Sequence, residues 1–389
     1  MTAGRRTVSI LGATGSVGRS TLDLIEREPD RFDVLALTAR QDVAGLAEAA
    51  KRVGAKQAVI GDETLYAQLR DALAGTGVEV AAGDDAVTGA AASGADWTMA
   101  AIVGCAGLRP VMAALKQGAT VALANKEALV SAGEIMMQAA CESGATLLPV
   151  DSEHNAIFQC FDRTQPDRVR RIVLTASGGP FRTLSLEQMR AVTPAQAVAH
   201  PNWSRGAKIS VDSATLMNKG LELIEAFHLF PLAADQFEVV VHPQSVIHSM
   251  VDYVDGSVLA QLGAPDMRIP IAYALAYPQR METPCERLDL VKLGSLTFEA
   301  PDLTRFPALA LAGAALREGG ASPAILNAAN EVAVASFLDG GIGFLDIASV
   351  AREALAGYDP PAPATLEDVL EVDREARDIA RQRVGKMML

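Results

Sequence analysis

Short apolar runs alternate with helical stretches through the first 150 residues, and this alternation limits the fold more strongly than any other feature of the sequence. The predicted strands are residues 7–11, 32–37, 58–60, 78–81, 98–103, 120–123 and 146–150. Helical stretches lie between them, for example at residues 20–27, 43–52 and 134–142. Near-continuous apolar strands that alternate with helices are typical of a parallel sheet covered on both faces. The N-terminal part is therefore predicted to be an α/β domain with a Rossmann-like sheet.

The residue composition and the predicted secondary structure change after residue 150, which predicts further domains. Residues 151–277 contain every histidine and one hairpin signal, Asp255-Gly256, between two strand-like runs. From residue 306 the pattern is helical, and Thr365 with Asp368 can cap a last helix. The prediction is an α/β domain at 1–150, a central α+β domain at 151–277, a connector at 278–305 and a helical domain at 306–389.

The charge balance excludes one class of partner. The chain has 34 Lys+Arg against 47 Asp+Glu, a net charge of −13. A nucleic-acid-binding protein needs a basic face, so we expect no nucleic-acid partner. Small anionic ligands need only a few local positive charges, and this balance is compatible with them.

The sequence also predicts a protein that does not enter a membrane. The longest strongly apolar run without a charge, residues 97–108, is shorter than the roughly 20 residues that a bilayer requires. The N-terminus leads directly into a strand-like run and lacks the pattern of a signal peptide. The four cysteines have no CxxC spacing, which is typical of free thiols in a reducing compartment. We expect a cytoplasmic protein.

The first predicted strand ends in a glycine-rich turn, Gly12-Ala-Thr-Gly15-Ser-Val-Gly18, that opens a helix. Glycines at these positions permit a tight turn and a close approach of a pyrophosphate to free N–H groups at the helix N-terminus. The turn therefore predicts a dinucleotide site. The alternative is a tight strand–helix turn that binds no nucleotide.

The end of the second strand indicates which dinucleotide is bound. NAD-binding proteins usually place an acid there to hold the ribose 2′-hydroxyl. This chain has Arg40 at that point, and a guanidinium suits a 2′-phosphate. The pattern favours NADP(H) over NAD(H), the alternative being that Arg40 is merely solvated.

Three acids form a candidate metal site. Asp151 and Glu153 follow the last strand of the α/β part, and on an extended backbone their side chains would point to the same side. Glu222 lies near the start of an apolar helix. Carboxylates without cysteine or paired histidine favour Mg²⁺ or Mn²⁺ over Zn²⁺. By itself, however, an Asp-x-Glu pattern is more often ordinary surface chemistry.

Polar loops lie between these acids. They are 177–180, the aromatic and histidine-containing segment 200–206, which could form a lid, and 210–215, which leads to Asn218-Lys219. Each loop alone is more often a turn than a ligand site. Their concentration in the central domain points to a binding site there.

Long motifs in a fixed order carry a resemblance to a known family. They are Gly12-Ala-Thr-Gly-Ser-Val-Gly18, Ala124-Asn-Lys-Glu127, Pro149-Val-Asp-Ser-Glu-His154, Ser177-Gly-Gly-Pro-Phe181, His200-Pro-Asn-Trp203, residues 208–222, His242-Pro-Gln-Ser-Val-Ile-His248 and Leu326-Asn-Ala-Ala-Asn-Glu331. Together they resemble the 1-deoxy-D-xylulose 5-phosphate reductoisomerase family, in order from residue 7 to residue 331.

The resemblance implies a fold and a reaction. It implies an NADPH-binding domain, a central catalytic domain with a metal site, a mobile lid and dimerisation strands, and a C-terminal helical domain, assembled as a homodimer. The implied reaction is an NADPH-dependent isomerisation and reduction with Mg²⁺ or Mn²⁺. Its substrate is the sugar phosphate 1-deoxy-D-xylulose 5-phosphate and its product is 2-C-methyl-D-erythritol 4-phosphate, in non-mevalonate isoprenoid biosynthesis.

The resemblance also implies roles for individual residues. The metal ligands would be Asp151, Glu153 and Glu222. The catalytic residues would be Lys126 and Glu153. The substrate would contact Lys126, Ser152, Glu153, Ser177, His200, Ser213, Asn218, Lys219 and Glu222. The cofactor would contact Thr14, Gly15, Ser16, Val17, Arg40, Gln41, Asn125, Glu127 and Gly206.

One departure and two alternatives accompany this interpretation. Many relatives have a small residue followed by Lys-Asn where this chain has Arg40-Gln41-Asp42, which leaves open the side chain that meets the 2′-phosphate. Another NADP-dependent enzyme is disfavoured, because no Tyr-x-x-x-Lys is present and the surroundings of Cys105 do not fit a semialdehyde dehydrogenase nucleophile. A non-catalytic NADP-binding regulator would need a broken site, yet the acids and lysines of the motifs are all present.

Overall fold

A computed structural model describes residues 4–199 and 206–387. The strands are β1 (Arg6–Leu11), β2 (Phe32–Ala39), β3 (Gln57–Ile60), β4 (Glu79–Ala82), β5 (Trp97–Ala100), β6 (Thr120–Leu123), β7 (Thr146–Pro149), β8 (Val169–Ala176), β9 (Phe237–Val241), β10 (Ile247–Tyr253) and β11 (Val258–Leu262). The helices are α1 (Ser16–Arg27), α2 (Val43–Val53), α3 (Tyr66–Ala72), α4 (Asp84–Ala91), α5 (Leu108–Leu115), α6 (Lys126–Ser143), α7 (Ser152–Cys160), α8 (Leu186–Arg190), α9 (Pro194–Val198), α10 (Ala207–Thr215), α11 (Met217–Leu229), α12 (Arg268–Ala276), α13 (Leu290–Leu293), α14 (Pro307–Glu318), α15 (Ser322–Leu338), α16 (Asp346–Gly357) and α17 (Leu366–Met387).

The first seven strands form one parallel sheet in the order β4-β3-β2-β1-β5-β6-β7. This confirms the predicted α/β fold class. The order reverses at β1, and open α/β sheets bind their ligands at the carboxyl ends of the strands beside such a reversal. The predicted boundaries of the other strands lie within two residues of the observed ones, and the largest difference is at the end of β5. This strand stops at Ala100, and Val103 is 73% exposed. The chain leaves the sheet there because it turns at Gly104 to begin the next helix.

The described chain forms two compact units, and the seven-stranded sheet lies in the first, whose described residues are 4–128, 134–155 and 266–285. Residues 266–285 belong to it through α12. Trp97 on β5 donates from Nε1 to the carbonyl oxygen of Ala274 at 3.0 Å, and Arg268 pairs with Asp23 of α1. Helix α12, although late in the sequence, thus packs against β5 and α1 of the first unit.

The described residues of the second unit are 129–133, 156–199, 206–265 and 286–387. Its sheet has the order β11-β10-β8-β9, and the predicted hairpin joins β10 to β11 with Gly256 at a φ of +89°. Helices α14 to α17 bury an apolar core, as the pattern after residue 306 predicts. Thr365 and Asp368 cap α17 by reciprocal hydrogen bonds, which confirms the predicted helix start. Across both described ranges, no helix has the length and apolarity needed to cross a bilayer.

Candidate active site

The glycine-rich turn lies at the carboxyl end of β1, in the first unit. Gly12 has a φ of +87°, a backbone conformation that favours glycine. A Cβ on Gly18 would lie 2.3 Å from the carbonyl oxygen of Gly12, so the first turn of α1 packs directly on the loop. The predicted cofactor residues 14–17 are half-buried or exposed on the outer side. No described side chain caps the N-terminus of α1, which leaves its first N–H groups available to a phosphate.

Residues 125–127 follow β6 at the same edge of the sheet. The Asn125 side chain accepts a hydrogen bond from Ala128 N and so caps α6, and its Nδ2 donates to Gly104 O at 3.0 Å. Lys126 and Glu127 are buried in the first turn of α6. The Asn125 amide therefore ties the loops after β5 and β6 together, and it orients the two charged residues that follow.

The end of β2 carries the two residues predicted to meet the 2′-phosphate. Arg40 Nη1 lies 2.5 Å from Asp84 Oδ1, and both side chains are mostly exposed. Gln41 Nε2 donates to Asp62 Oδ2 at 3.3 Å. The hydroxyl and N–H groups of Thr64 lower the pKa of Asp62, and the nearby Arg40 charge acts in the same direction. Arg40 is therefore a cation at an otherwise acidic edge.

Asp151 and Glu153 lie at the turn from β7 into α7, and the expectation of an extended backbone there is wrong. Asn155 N donates to Asp151 O at 2.9 Å, so the helix already begins at Ser152. The two carboxylates still approach each other, with oxygens within 4.8 Å. Lys126 Nζ forms an ion pair with Asp151, and the Ser152 hydroxyl donates to Glu153 Oε2 at 2.6 Å. A buried cation, two acids and a hydroxyl are thus brought together within the first unit.

The second unit assembles its own set of polar groups around α10 and α11. Ser177 follows β8, and its Oγ accepts from Gly179 N at 3.3 Å. A Cβ on Gly179 would lie 2.7 Å from the carbonyl oxygen of Ser213, so the loop 177–180 rests on α10. Leu216, with a φ of +61°, joins α10 to α11. A non-glycine residue held in this conformation is characteristic of functional sites.

The start of α11 carries three predicted site residues, all buried. Lys219 Nζ pairs with Glu222 Oε2, and Asn218 Nδ2 donates to Glu222 Oε1. Burial of a carboxylate is tolerated because a lysine and an amide satisfy both of its oxygens. These two contacts form within one helix, because the three residues are at most four positions apart.

The predicted lid falls mainly outside the described residues. His200, like the rest of segment 200–205, is not described. Gly206 is described, is exposed, and is the N-cap of α10. Gly206, one of the residues predicted to contact the cofactor, is therefore the first described residue after this segment.

Sequence reasoning missed the partners of several predicted residues. Asp84, at the start of α4, faces Arg40, and Asp62 faces Gln41. Both acids follow strands of the parallel sheet at its carboxyl edge, and the rule that such edges collect functional groups could have identified them. Asp212 and Asn330 lie in two of the motifs quoted above, but nothing in the sequence indicated that they are bonded to each other, at 2.8 Å in the second unit.

These features define the class of the protein: an α/β enzyme with a dinucleotide-type glycine turn at the head of a parallel sheet and buried acids and lysines placed for chemistry. Three family models match the chain. They are 1-deoxy-D-xylulose 5-phosphate reductoisomerase over residues 8–133, its C-terminal domain over 147–230, and the DXP reductoisomerase C-terminal domain over 262–379. The chain belongs to the 1-deoxy-D-xylulose 5-phosphate reductoisomerase family.

Individual relatives support this membership across the whole length. The 1-deoxy-D-xylulose 5-phosphate reductoisomerase of Zymomonas mobilis is 64% identical over 372 residues, 96% of each chain. That of Rhodospirillum centenum is 59% identical over 98% of this chain and 95% of its own. Both identities lie far above the level at which fold and family are in doubt.

Solved structures agree. The Zymomonas mobilis enzyme in complex with NADPH has a TM-score of 0.94 and 62% identity, covering 98% of this chain and 99% of its own. A DOX-P reductoisomerase in complex with NADPH, fosmidomycin and magnesium has a TM-score of 0.92 and 44% identity over 98% of both chains. The fold described above is therefore the fold of this family.

Proposed function

We propose that this chain catalyses the NADPH- and divalent-metal-dependent isomerisation and reduction of 1-deoxy-D-xylulose 5-phosphate to 2-C-methyl-D-erythritol 4-phosphate, in non-mevalonate isoprenoid biosynthesis. The observation that carries the proposal is the ion pair between the buried Lys126 and the half-buried Asp151, beside Glu153, at the sheet edge that also carries the glycine turn. Family membership supports it, as do solved relatives that contain NADPH and magnesium.

The glycine turn is proposed to hold the pyrophosphate of NADPH. The turn fits the group because the first turn of α1 packs directly on the loop at Gly12 and Gly18, and no described side chain caps the first N–H groups of α1. Asn125, Glu127 and Gly206 would line the nicotinamide side. Arg40 and Gln41 would meet the 2′-phosphate, and Asn125 would act mainly by orienting the start of α6, which it caps.

Asp151, Glu153 and Glu222 are proposed to hold Mg²⁺ or Mn²⁺. The donor set fits such an ion, because carboxylate oxygens are the ligands that hard divalent cations prefer. Lys126 pairs with Asp151, and Lys219 pairs with Glu222. A bound metal ion would therefore compete with these two lysines for the carboxylate oxygens. A bound ion of this kind supplies Lewis-acid polarisation of substrate oxygens.

The side chains around this set have complementary roles. Glu153 is proposed to accept a hydroxyl proton of the substrate, and the Ser152 hydroxyl, which donates to Glu153 Oε2, fixes the orientation of that carboxylate. Lys126 is proposed to stabilise negative charge that develops on a substrate oxygen, since its ammonium is buried and close to Asp151.

The substrate phosphate and neighbouring hydroxyls are proposed to bind Ser177, Ser213, Asn218 and Lys219, with His200 closing over them. The hydroxyls, amide and ammonium of this set are donors suited to phosphate oxygens. Glu222 would lie beside them, because Asn218 and Lys219 both contact it.

Assembly and location are further proposals. The four ranges 1–150, 151–277, 278–305 and 306–389 are proposed as nucleotide-binding domain, catalytic domain, connector and helical domain. We propose a homodimer that works in the cytoplasm. Support for the dimer is the edge strand β11, where Val258 and Leu259 are about half exposed and could pair with a second copy.

The experiment that tests the function is an assay of the purified chain with NADPH, Mg²⁺ and 1-deoxy-D-xylulose 5-phosphate. We expect NADPH to be consumed and one product to form, identified by mass and phosphorus NMR as 2-C-methyl-D-erythritol 4-phosphate. Oxidation of NADPH without that product would show a different reductase.

The choice of cofactor is tested at Arg40. Because a guanidinium makes charge-assisted hydrogen bonds to a phosphate, Arg40→Ala should raise the KM for NADPH roughly tenfold and leave the KM for NADH nearly unchanged. Arg52→Ala is the matched control, an exposed arginine of the same unit that pairs with Glu26 and Glu48. Equal KM values for NADPH in both variants would mean that another side chain reads the 2′-phosphate.

A further inference from the structure

A buried polar contact joins α10 to α15 in the second unit. Asp212 on α10 is 1% exposed, and Asn330 on α15 is fully buried. Asn330 Nδ2 donates to Asp212 Oδ1 at 2.8 Å, while Lys208 Nζ lies 3.0 Å from Asp212 Oδ2. The carboxylate is therefore held by its own helix on one side and by α15 on the other.

The helix fixed in this way supports the proposed phosphate site. Ser213 directly follows Asp212, and the backbone of Gly179 is in tight contact with the carbonyl oxygen of Ser213. Leu216 then carries the chain into α11 in a left-handed conformation. A small rotation of α10 would displace Ser213, the loop 177–180 and the start of α11 together, because interiors this closely packed transmit shifts rather than absorb them.

We propose that Asn330 is a positioning residue for the substrate-phosphate site, which acts through Asp212 and does not contact the substrate. The proposal rests on the function proposed above, since that function defines the phosphate site. Asn330 Nδ2 donates the hydrogen bond to Asp212, whereas Asn330 Oδ1 has no hydrogen-bond partner among the described residues. Without that donor, Asp212 would keep only Lys208 as a partner among the described residues, and α10 would lose this polar contact with α15.

The same helix offers a matched control. Asn327 lies one turn earlier on α15, is equally buried, and has an Oδ1 that likewise has no partner among the described residues. Its Nδ2 donates to Glu331 at 3.3 Å, which is a contact within α15. Asn327→Ala therefore removes the same atoms from the same helix and leaves the link to α10 intact.

The first test compares Asn330→Ala with Asn327→Ala in the assay for the sugar phosphate. Because the buried Asp212 carboxylate loses its hydrogen bond from α15, Asn330→Ala should raise the KM for 1-deoxy-D-xylulose 5-phosphate about tenfold or more. The KM for NADPH should stay within about threefold of the unaltered chain, and Asn327→Ala should change both KM values by less than about threefold. An unchanged substrate KM, or an equal rise in both variants, would overturn the proposal.

A second variant keeps the test decisive if Asn330→Ala fails to fold. Asn330→Asp retains the size of the side chain and exchanges its donor for a titrating oxygen. Two carboxyl groups this close share a proton at low pH and repel each other when both are ionised. The rise in substrate KM should therefore be at least about fivefold larger at pH 8 than at pH 6, relative to the unaltered chain.

Other charged groups lie around this pair. Lys208 faces Asp212 from α10, and Glu331 on α15 faces Arg377 of α17, which Asp373 also contacts. The unaltered chain contains the same charged groups, so their effect on the pH dependence of the substrate KM cancels when the variant is compared with it. A KM shift in Asn330→Asp that is independent of pH would contradict a positioning contact.

The outcomes separate this inference from the proposed function. If the unaltered chain does not convert 1-deoxy-D-xylulose 5-phosphate, the proposed function fails. If it does, and the Asn330 and Asn327 variants behave alike, only the positioning role fails.

Discussion

Replacing Glu222 by Gln should lower kcat/KM by about a thousandfold or more, because it removes one charged ligand of the proposed metal site. The substitution also leaves Lys219 buried beside a neutral amide, since Lys219 pairs with Glu222 in the intact chain. The measurement is a steady-state assay over a series of Mg²⁺ concentrations, combined with direct binding of Mn²⁺. We expect weakened Mn²⁺ binding together with the loss of activity.

A second acid of the same unit provides the control for Glu222. Glu331 pairs with Arg377 and is partly buried, so Glu331→Gln also removes a charge-paired carboxylate. It should affect stability without changing the dependence on Mg²⁺. Near-normal turnover of the Glu222 variant at limiting Mg²⁺ would show that Glu222 is not a ligand.

Replacing Gly18 by Ala should reduce NADPH affinity by about a hundredfold or more and destabilise the first unit by about 1–3 kcal/mol, as overpacking does. The added Cβ would lie 2.3 Å from Gly12 O and 2.6 Å from Ala13 Cα. Both contacts are with backbone, so no side chain can move away and the loop itself must shift. Equilibrium binding of NADPH, followed by its fluorescence, and thermal unfolding measure the two effects.

Gly89→Ala is the matched control for this substitution. Gly89 lies in α4 of the same unit, is exposed, and has open space where a Cβ would go. Alanine is the better helix former, so this variant should be as stable as the unaltered chain or more so. NADPH affinity in Gly18→Ala within about threefold of that in Gly89→Ala would contradict the assignment of the loop.

The parallel sheet could be predicted because its determinants are local. Each strand is a short apolar run that ends at turn residues, and parallel strands joined by helices leave few arrangements. The predicted backbone was wrong at two places where an apolar strand pattern runs into residues that turn the chain or begin a helix. Residues 99–103 are all apolar, yet β5 ends at Ala100 because the chain turns at Gly104. In the same way, Asp151 and Glu153 follow a strand, but the helix begins between them at Ser152.

The candidate site was predictable where its residues belong to contiguous motifs. Asn218, Lys219 and Glu222 contact one another because they lie within one helical turn. Pairs that are distant in the sequence could not be found in this way. Arg40 and Asp84 are 44 residues apart and Asp212 and Asn330 are 118 apart, and only tertiary packing brings them together.

The packing of residues 266–285 with the first unit has the same physical origin. Arg268 reaches Asp23 across 245 residues, and Trp97 donates to Ala274 across 177. Nothing in the local pattern of α12 indicates these partners, because an apolar helix can pack on many surfaces.

The proposed reaction couples NADPH oxidation to conversion of the sugar phosphate at a divalent-metal site. This coupling can be measured by following the loss of NADPH absorbance with 1-deoxy-D-xylulose 5-phosphate and Mg²⁺ or Mn²⁺, before and after EDTA is added. We expect the loss of absorbance to require both substrate and metal, to stop with EDTA and to resume with excess metal. Oxidation of NADPH that continues in EDTA, or no turnover with either ion, would contradict it.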